Sequence, residues 1–416
     1  MNKRVVRPAR FVEQKSKTPI PVNGLKVGMF VSELDRPWTE TPFILQGFEI
    51  RSVEDIEEIA AHCEYVYVDN AEHVFLAPVE RSTGGGKAAR KTTFVNKASN
   101  KQEKSRATSA LSNARKLTSS FMDDVRLGKS IDVQQIKLTV SECVQSILRN
   151  PDAMLWMSKI KDKDSYTSQH SLNVCILAIN FGRHLGAPED DLGKLGVSAL
   201  MHDIGKMRIP TDILHKAGPL TAEEQATYEK HPVYGRDILL QQDGLYHGAV
   251  DVAYAHHEHI DGSGYPRKIK AAGISDFTRI ISICDQYDAL TSDRPSSAGK
   301  SSRAALRYLY DHRGKKFDER LVHHFIECIG LYPAGSVVEL KNGCIGLVVG
   351  TNYRHRHLPK ILVLTNEQKQ KQGERVINLG KLVDNPDSNL LIARVLPNGS
   401  HGIRLEEYIE KGLMLD

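Results

Sequence analysis

Between residues 165 and 330 the sequence carries almost no strand pattern, and this restricts the fold more than any other feature. Segments long enough for helices follow one another with short loops between them, at 167–185, 191–206, 246–258, 274–290 and 322–330. Further helices open after Gly218-Pro219-Leu220-Thr221, where Glu223 and Glu224 suit a capped entry, and at His231-Pro232. The stretch Gly262-Ser263-Gly264-Tyr265-Pro266 cannot be helical. Upstream, Ile131, Val133, Ile136, Val140, Val144 and Ile147 recur at three- and four-residue steps, an amphipathic stripe for packing. The span is therefore expected to fold as an all-α domain.

Metal-type side chains are concentrated in this helical span. His202 and Asp203 are adjacent, and neighbouring residues on a helix diverge by about 100°. A carboxylate has two oxygens, so Asp203 can join two cations while His202 binds one. Lys206, one turn on, can reach an anionic substrate. His170, His231, His256, His257 and Asp285 complete a set of nitrogen and oxygen donors with no cysteine. Two cations roughly 3.5–4 Å apart need such a set and one bridging carboxylate. Iron or manganese suits it better than a closed tetrahedral zinc site. Each residue also has a plainer role open to it. His231 can cap a helix, His256 or His257 can be a satisfied core histidine, and Asp285 can pair with Arg279.

The flanks differ in pattern. Residues 1–77 read as a small α/β unit, with strands at 20–22, 25–31, 42–50 and 65–68 and a helix after Ser52, whose apolar face carries Ile56 and Ile59. No metal cluster or phosphate loop is legible there, which suggests an interaction or sensory module. Residues 78–107 are basic and contain Ser82-Thr83-Gly84-Gly85-Gly86; with no aromatic beyond Phe94 they read as a solvated linker rather than a nucleic-acid contact. The all-α domain is expected at 108–335. At 336–416 the period changes to a small β-rich appendage, with Asn342-Gly343 as a hairpin turn. A net charge of +5 gives no reason to expect a nucleic-acid polymer as partner. The six cysteines are dispersed, which argues against a disulfide framework. No apolar run approaches about 18 residues, so no membrane insertion is expected, and a cytoplasmic protein is.

The motifs His202-Asp203-Ile204-Gly205-Lys206, His231-Pro232-Val233-Tyr234-Gly235, His256-His257-Glu258, Asp261-Gly262-Ser263-Gly264-Tyr265-Pro266 and Asp285 to Ser292 resemble the HD-GYP subgroup of HD-domain metal-dependent phosphohydrolases. Val27 to Val31, Leu34 to Trp38 and Gln46-Gly47-Phe48 resemble the domain of unknown function DUF3391. The resemblance implies a phosphodiesterase that hydrolyses cyclic di-GMP to pGpG and/or GMP with a hydroxide bridging two metals, or alternatively a catalytically weak dinucleotide receptor signalling through its N-terminal unit. It implies that His170, His202, Asp203 and Asp285 hold one ion, and that Asp203 bridges to a second held by His231, His256 and His257. Lys206, Gly264, Tyr265, Pro266 and Arg294 would contact substrate. A homodimer or a regulatory protein partner at the N-terminal unit is the expected protein contact. Two departures stand out. Tyr166 occupies the position where some members carry a Glu for a third metal, which implies two ions. Arg294-Pro295-Ser296-Ser297 lacks a second basic residue, which makes pGpG or another dinucleotide a more plausible substrate.

Overall fold

The computed structural model describes residues 17–27, 29–35, 48–50, 53–69, 94, 96–158, 166–293, 299–350, 355, 357–383, 385 and 387–410. The chain divides into two compact units, residues 1–89 and 90–416.

In the first unit, β1 (Lys17–Pro21), β2 (Phe30–Leu34), β3 (Phe48–Glu49) and β4 (Tyr65–Asp69) form an antiparallel sheet of order β1-β4-β2-β3, with α1 (Val53–His62) before β4. Val66 and Val68 are buried while Tyr65 is exposed, the alternation of a sheet with one covered face. Ile59 joins Val31, Val66 and Val68 in the core. The strand expected at 25–31 begins only at Phe30; Leu25 is buried as a loop residue after the turn Val22–Gly24. An apolar run does not by itself separate a strand from a buried loop. Ser52, expected to cap α1, and residues 42–47 lie outside the described residues.

The second unit opens with α2 (Asn100–Arg126), α3 (Val133–Arg149) and α4 (Pro151–Ser158). α2 starts inside the stretch expected to be linker, 78–107. Ser99 and Gln102 form a capping box there: the Ser99 hydroxyl accepts from the Gln102 N–H, and the Ser99 N–H donates to Gln102 Oε1. Glu103 accepts two hydrogen bonds from Arg149, both 2.8 Å, tying α2 to α3. The Glu103 side chain is fully buried and that of Arg149 is 29% exposed. Burial opposes ionisation of Glu103, but the Arg149 hydrogen bonds outweigh it and hold its pKa below the usual value. Glu103→Ala is expected to cost about 2–3 kcal/mol, since it strands a charged partner. The pair's contribution is complete above the unfolded carboxyl pKa of about 4.3 and is lost as pH falls through the lower folded value. Urea unfolding should therefore separate wild type from variant at pH 7, and the gap should close in acid.

α5 (Tyr166–Leu185) is the central helix, buried without interruption from His170 to Gly182. It packs against α6 (Glu189–Met201). A 3-10 turn, Ile204–Arg208, leads to α7 (Thr211–Leu214), α8 (Ala222–Tyr228), α9 (His231–Leu239) and α10 (His247–Ala255). Then come α11 (Asp276–Thr291), which packs on α5, α12 (Ser302–Asp311) and α13 (Glu319–Ile329). The all-α expectation for this span holds.

The chain ends in β5 (Val337–Leu340), β6 (Ile345–Gly350), β7 (Lys360–Thr365), β8 (Lys371–Asn378), β9 (Ile392–Leu396) and α14 (Leu405–Glu410). The strands make one antiparallel sheet of order β8-β7-β6-β5-β9. The Asn342-Gly343 turn joins β5 to β6, with Gly343 at φ +87° and Asn342 Oδ1 accepting from the Cys344 N–H. β8 gave no strand signal in the sequence because it is an exposed edge strand with no alternation of burial. None of the six cysteines is in a disulfide. Among the described residues no helix is long and apolar enough to cross a membrane.

Candidate metal centre

Four helix ends and one helix interior deliver the donors. His170 lies near the start of α5 and Asp285 within α11. α6, expected to run to Lys206, stops at Met201. His202 keeps helical angles as its cap, and Asp203 turns the backbone to φ −99°, ψ 9° into the 3-10 turn. The break separates the directions of the two adjacent side chains. His231 is the first residue of α9, and His256 and His257 follow the last residue of α10. Gly205 permits this convergence: a Cβ there would lie 1.9 Å from the His231 carbonyl oxygen, so the turn rests directly on the start of α9.

The donors fall into two groups that share Asp203. Asp203, His231, His256 and His257 present ligand atoms within 4.8 Å of one another, as do His170, His202 and Asp285. Asp203 Oδ1 stands 3.4 Å from His231 Nε2 and 3.5 Å from His256 Nε2. Its Oδ2 stands 3.4 Å from His202 Nε2 and 3.6 Å from His170 Nε2. One carboxylate thus faces both groups.

The histidines are fixed from behind. His202 Nδ1 meets the Ala199 carbonyl at 2.7 Å, His231 Nδ1 the Tyr228 carbonyl at 2.7 Å, and His256 Nδ1 the Ala253 carbonyl at 3.1 Å. Only an N–H can donate there, so each Nε2 turns a bare lone pair inward. Those lone pairs crowd: His231 Nε2 is 3.3 Å from His256 Nε2 and 3.1 Å from His257 Nε2. His202 Nε2 and Asp203 Oδ1 are buried with no hydrogen-bond partner. Lone pairs and a carboxylate facing one another away from water repel, and cations between them would turn the repulsion into ligation. The residues fit two divalent ions with nitrogen and oxygen ligands.

Charge follows the same division. Burial opposes charge on His170, but hydrogen bonds to Asp285 (2.9 Å) and Asp288 (2.7 Å) outweigh it and raise its pKa to about 9. Burial pushes His231 down to about 3 and, helped by His256, holds His257 well below the usual imidazole range. Asp203 is held well below the carboxylate range: burial opposes this, but the Lys206 ammonium prevails. Lys206 donates to Asp203 Oδ2, and its ammonium lies 5.5 Å from the Tyr228 ring centroid. It is mostly buried on that carboxylate, not extended toward solvent.

The Gly264-Tyr265-Pro266 loop closes one side. The Tyr265 ring stacks on His257 at 4.7 Å, and its N–H donates to the His257 carbonyl. A Cβ on Gly264 would lie 2.4 Å from that same carbonyl oxygen. Buried Glu258 accepts from the Arg267 and Ile269 N–H groups and so holds the chain beyond the loop. Arg294 lies outside the described residues. Arg279 pairs with Asp318 at 3.0 Å, which leaves Asp285 to the cluster.

Two residues of this site went unassigned in the sequence. Asp288 holds His170 Nδ1 and itself accepts from Asn173 at 3.1 Å. The spacing was the available signal, since Asp285 and Asp288 lie one turn apart on α11, as do His170 and Asn173 on α5.

Comparison with known proteins agrees with this architecture. The HD domain family matches residues 155–321, and the domain of unknown function DUF3391 matches residues 17–136. A cyclic di-GMP phosphodiesterase of Pseudomonas aeruginosa is 33% identical over 369 residues, 87% of this chain and 89% of that one. A cyclic di-GMP phosphodiesterase response regulator of Xanthomonas campestris is 36% identical over 165 residues, 39% of this chain and 43% of that one. A 3'3'-cGAMP-specific phosphodiesterase of Vibrio cholerae is 38% identical over 157 residues, 38% of this chain and 36% of that one. With helical core, donor set and a relative similar along most of its length, the chain belongs to the HD-GYP family of HD-domain phosphodiesterases, with a DUF3391 domain ahead of the catalytic one.

Proposed function

We propose that the chain hydrolyses cyclic di-GMP to pGpG and/or GMP at two iron or manganese ions. His170, His202, Asp203 and Asp285 would hold one ion, and Asp203, His231, His256 and His257 the other. The observation that carries this reading is Asp203, with one oxygen toward each donor group. The choice of substrate rests on the relative similar over 87% of the chain. Tyr166 supports a count of two: its ring lies parallel to His170 at 5.7 Å and offers no carboxylate for a third ion.

When bound, two divalent cations supply the Lewis acidity that activates water and polarises a phosphodiester. The chain's residues do the rest. The Nδ1 hydrogen bonds to backbone carbonyls keep the Nε2 atoms of His202, His231 and His256 aimed inward, and Asp288 does the same for His170. Lys206, whose pKa stays well above the usual lysine value because Asp203 outweighs the opposing effect of burial, retains its ammonium and offsets charge on the non-bridging oxygens. Tyr265, against His257, walls the pocket and excludes water.

The test is anaerobic purification followed by metal analysis and turnover of cyclic di-GMP, pGpG and 3'3'-cGAMP, beside a His202→Ala, Asp203→Ala control. About two ions per chain, with hydrolysis lost in the control, supports the reading. Metal-loaded protein that binds cyclic di-GMP without cleaving it sinks it. The same assay reads Asp288. Asp288→Asn removes the charge behind His170 and is expected to lower metal affinity by roughly 10- to 100-fold, with turnover recovering as metal is added.

A further inference from the structure

A second set of metal-type donors lies at the far end of α5. His184 is in its last turn, fourteen residues after His170 and so about 21 Å along the helix. His324 and Glu327 stand one turn apart on α13. The two helices are locked together beside them. Phe181 and Phe325 meet edge to face at 5.2 Å, and Asn180 Nδ2 donates to Cys328 Sγ at 3.2 Å. The three donors are thus set by the core rather than by loops.

Their spacing is that of ligands. His324 Nδ1 is 3.3 Å and His184 Nε2 3.7 Å from the same oxygen, Glu327 Oε2. The His324–Glu327 contact is a long hydrogen bond, since charge-assisted ones settle near about 2.8 Å. Ligands about 2.05 Å from a tetrahedral ion stand about 3.3 Å apart. The catalytic donors show similar separations, 3.4 Å for His202 and His231 against Asp203. All three donor atoms lie within 4.8 Å of one another. The side chains are 20% (His184), 33% (His324) and 15% (Glu327) exposed, which leaves room for a water as fourth ligand. Arg183, next in sequence, donates to Asn96 Oδ1 at 2.8 Å.

We propose that His184, His324 and Glu327 bind one divalent transition-metal ion, of the zinc class, that clamps α13 to α5. Two imidazoles and a carboxylate suit zinc, whereas calcium and magnesium prefer all-oxygen shells. α13 leads into β5, so the clamp would anchor the C-terminal sheet to the helix that carries His170.

The test titrates Zn2+ into the full chain against a chromophoric chelator. It compares wild type with His324→Ala and Glu327→Gln, each with and without Asp203→Ala. The expected result is the loss of one tightly held equivalent with either substitution in both backgrounds, and unchanged turnover where Asp203 is present. Co2+ in place of Zn2+ should give a tetrahedral d–d band that His324→Ala removes. A Zn2+ count that does not change with either substitution overturns the site, as does binding only at millimolar Zn2+. The readout is a difference between variants, so it stands whether or not the two-ion reading of the catalytic centre does.

Discussion

Asp203→Asn is expected to abolish hydrolysis, by roughly a thousandfold or more, and to destabilise the metal-free protein by about 3 kcal/mol. The two effects have different causes. Catalysis fails because one carboxylate faces both donor groups, so an amide there weakens both ion sites together. Stability falls because Lys206 is mostly buried on Asp203 and would lose its counter-charge. Breaking a buried pair on one side is costly, while replacing both partners by apolar groups is often near neutral. Asp203→Asn with Lys206→Met should therefore recover most of the stability and none of the metal or turnover. Metal content and turnover read the first effect; urea unfolding of chelator-treated protein reads the second. A single variant that keeps two ions and wild-type turnover would remove Asp203 from its bridging position.

What the sequence made legible follows from where the information lies. The seven donors could be picked out because each is a rare residue type at a helix end or in a buried helix, and both are local properties. Their partition into two groups around Asp203 could not be derived from spacing alone. His170 and Asp285 are 115 positions apart, and only the packing of α5 on α11 brings them to 2.9 Å. Asp285 and Asp288 look alike in the sequence; which one faces the centre and which one holds the imidazole is decided by the rotation of α11 against α5. The sequence suggests a substrate role for Lys206 and leaves out its pairing with Asp203, three positions earlier on the same face, whose carboxylate it binds. The start of α2 reads as linker in the sequence because Glu103 and its lysine-rich neighbours look solvated; Arg149, 46 residues later, makes Glu103 a buried residue.

Gly205→Ala should be the most damaging single methyl that can be added near the centre. Its Cβ would stand 1.9 Å from the His231 carbonyl oxygen and 2.4 Å from the Gly235 nitrogen. Both are backbone atoms of α9, so no side-chain rotation relieves the clash. The turn carrying Asp203 and the helix carrying His231 must move apart, which separates Asp203 Oδ1 and His231 Nε2 from their 3.4 Å approach. Overpacking commonly costs 1–3 kcal/mol, and with rigid backbone on one side the expected loss is at least about 3 kcal/mol. A displacement near 1 Å at a reacting centre can lower turnover about a hundredfold, so activity should fall at least that far even where the protein still folds. Gly193→Ala is the matched control. It adds the same methyl within α6, where nothing lies within 4 Å, and should raise stability by about 0.5–1 kcal/mol through helix propensity. Thermal unfolding of the two variants, with metal content and turnover, separates a steric fault at the α9 contact from a general intolerance of alanine. Wild-type metal content and turnover in Gly205→Ala would show that the close approach of this turn to α9 does not position the centre.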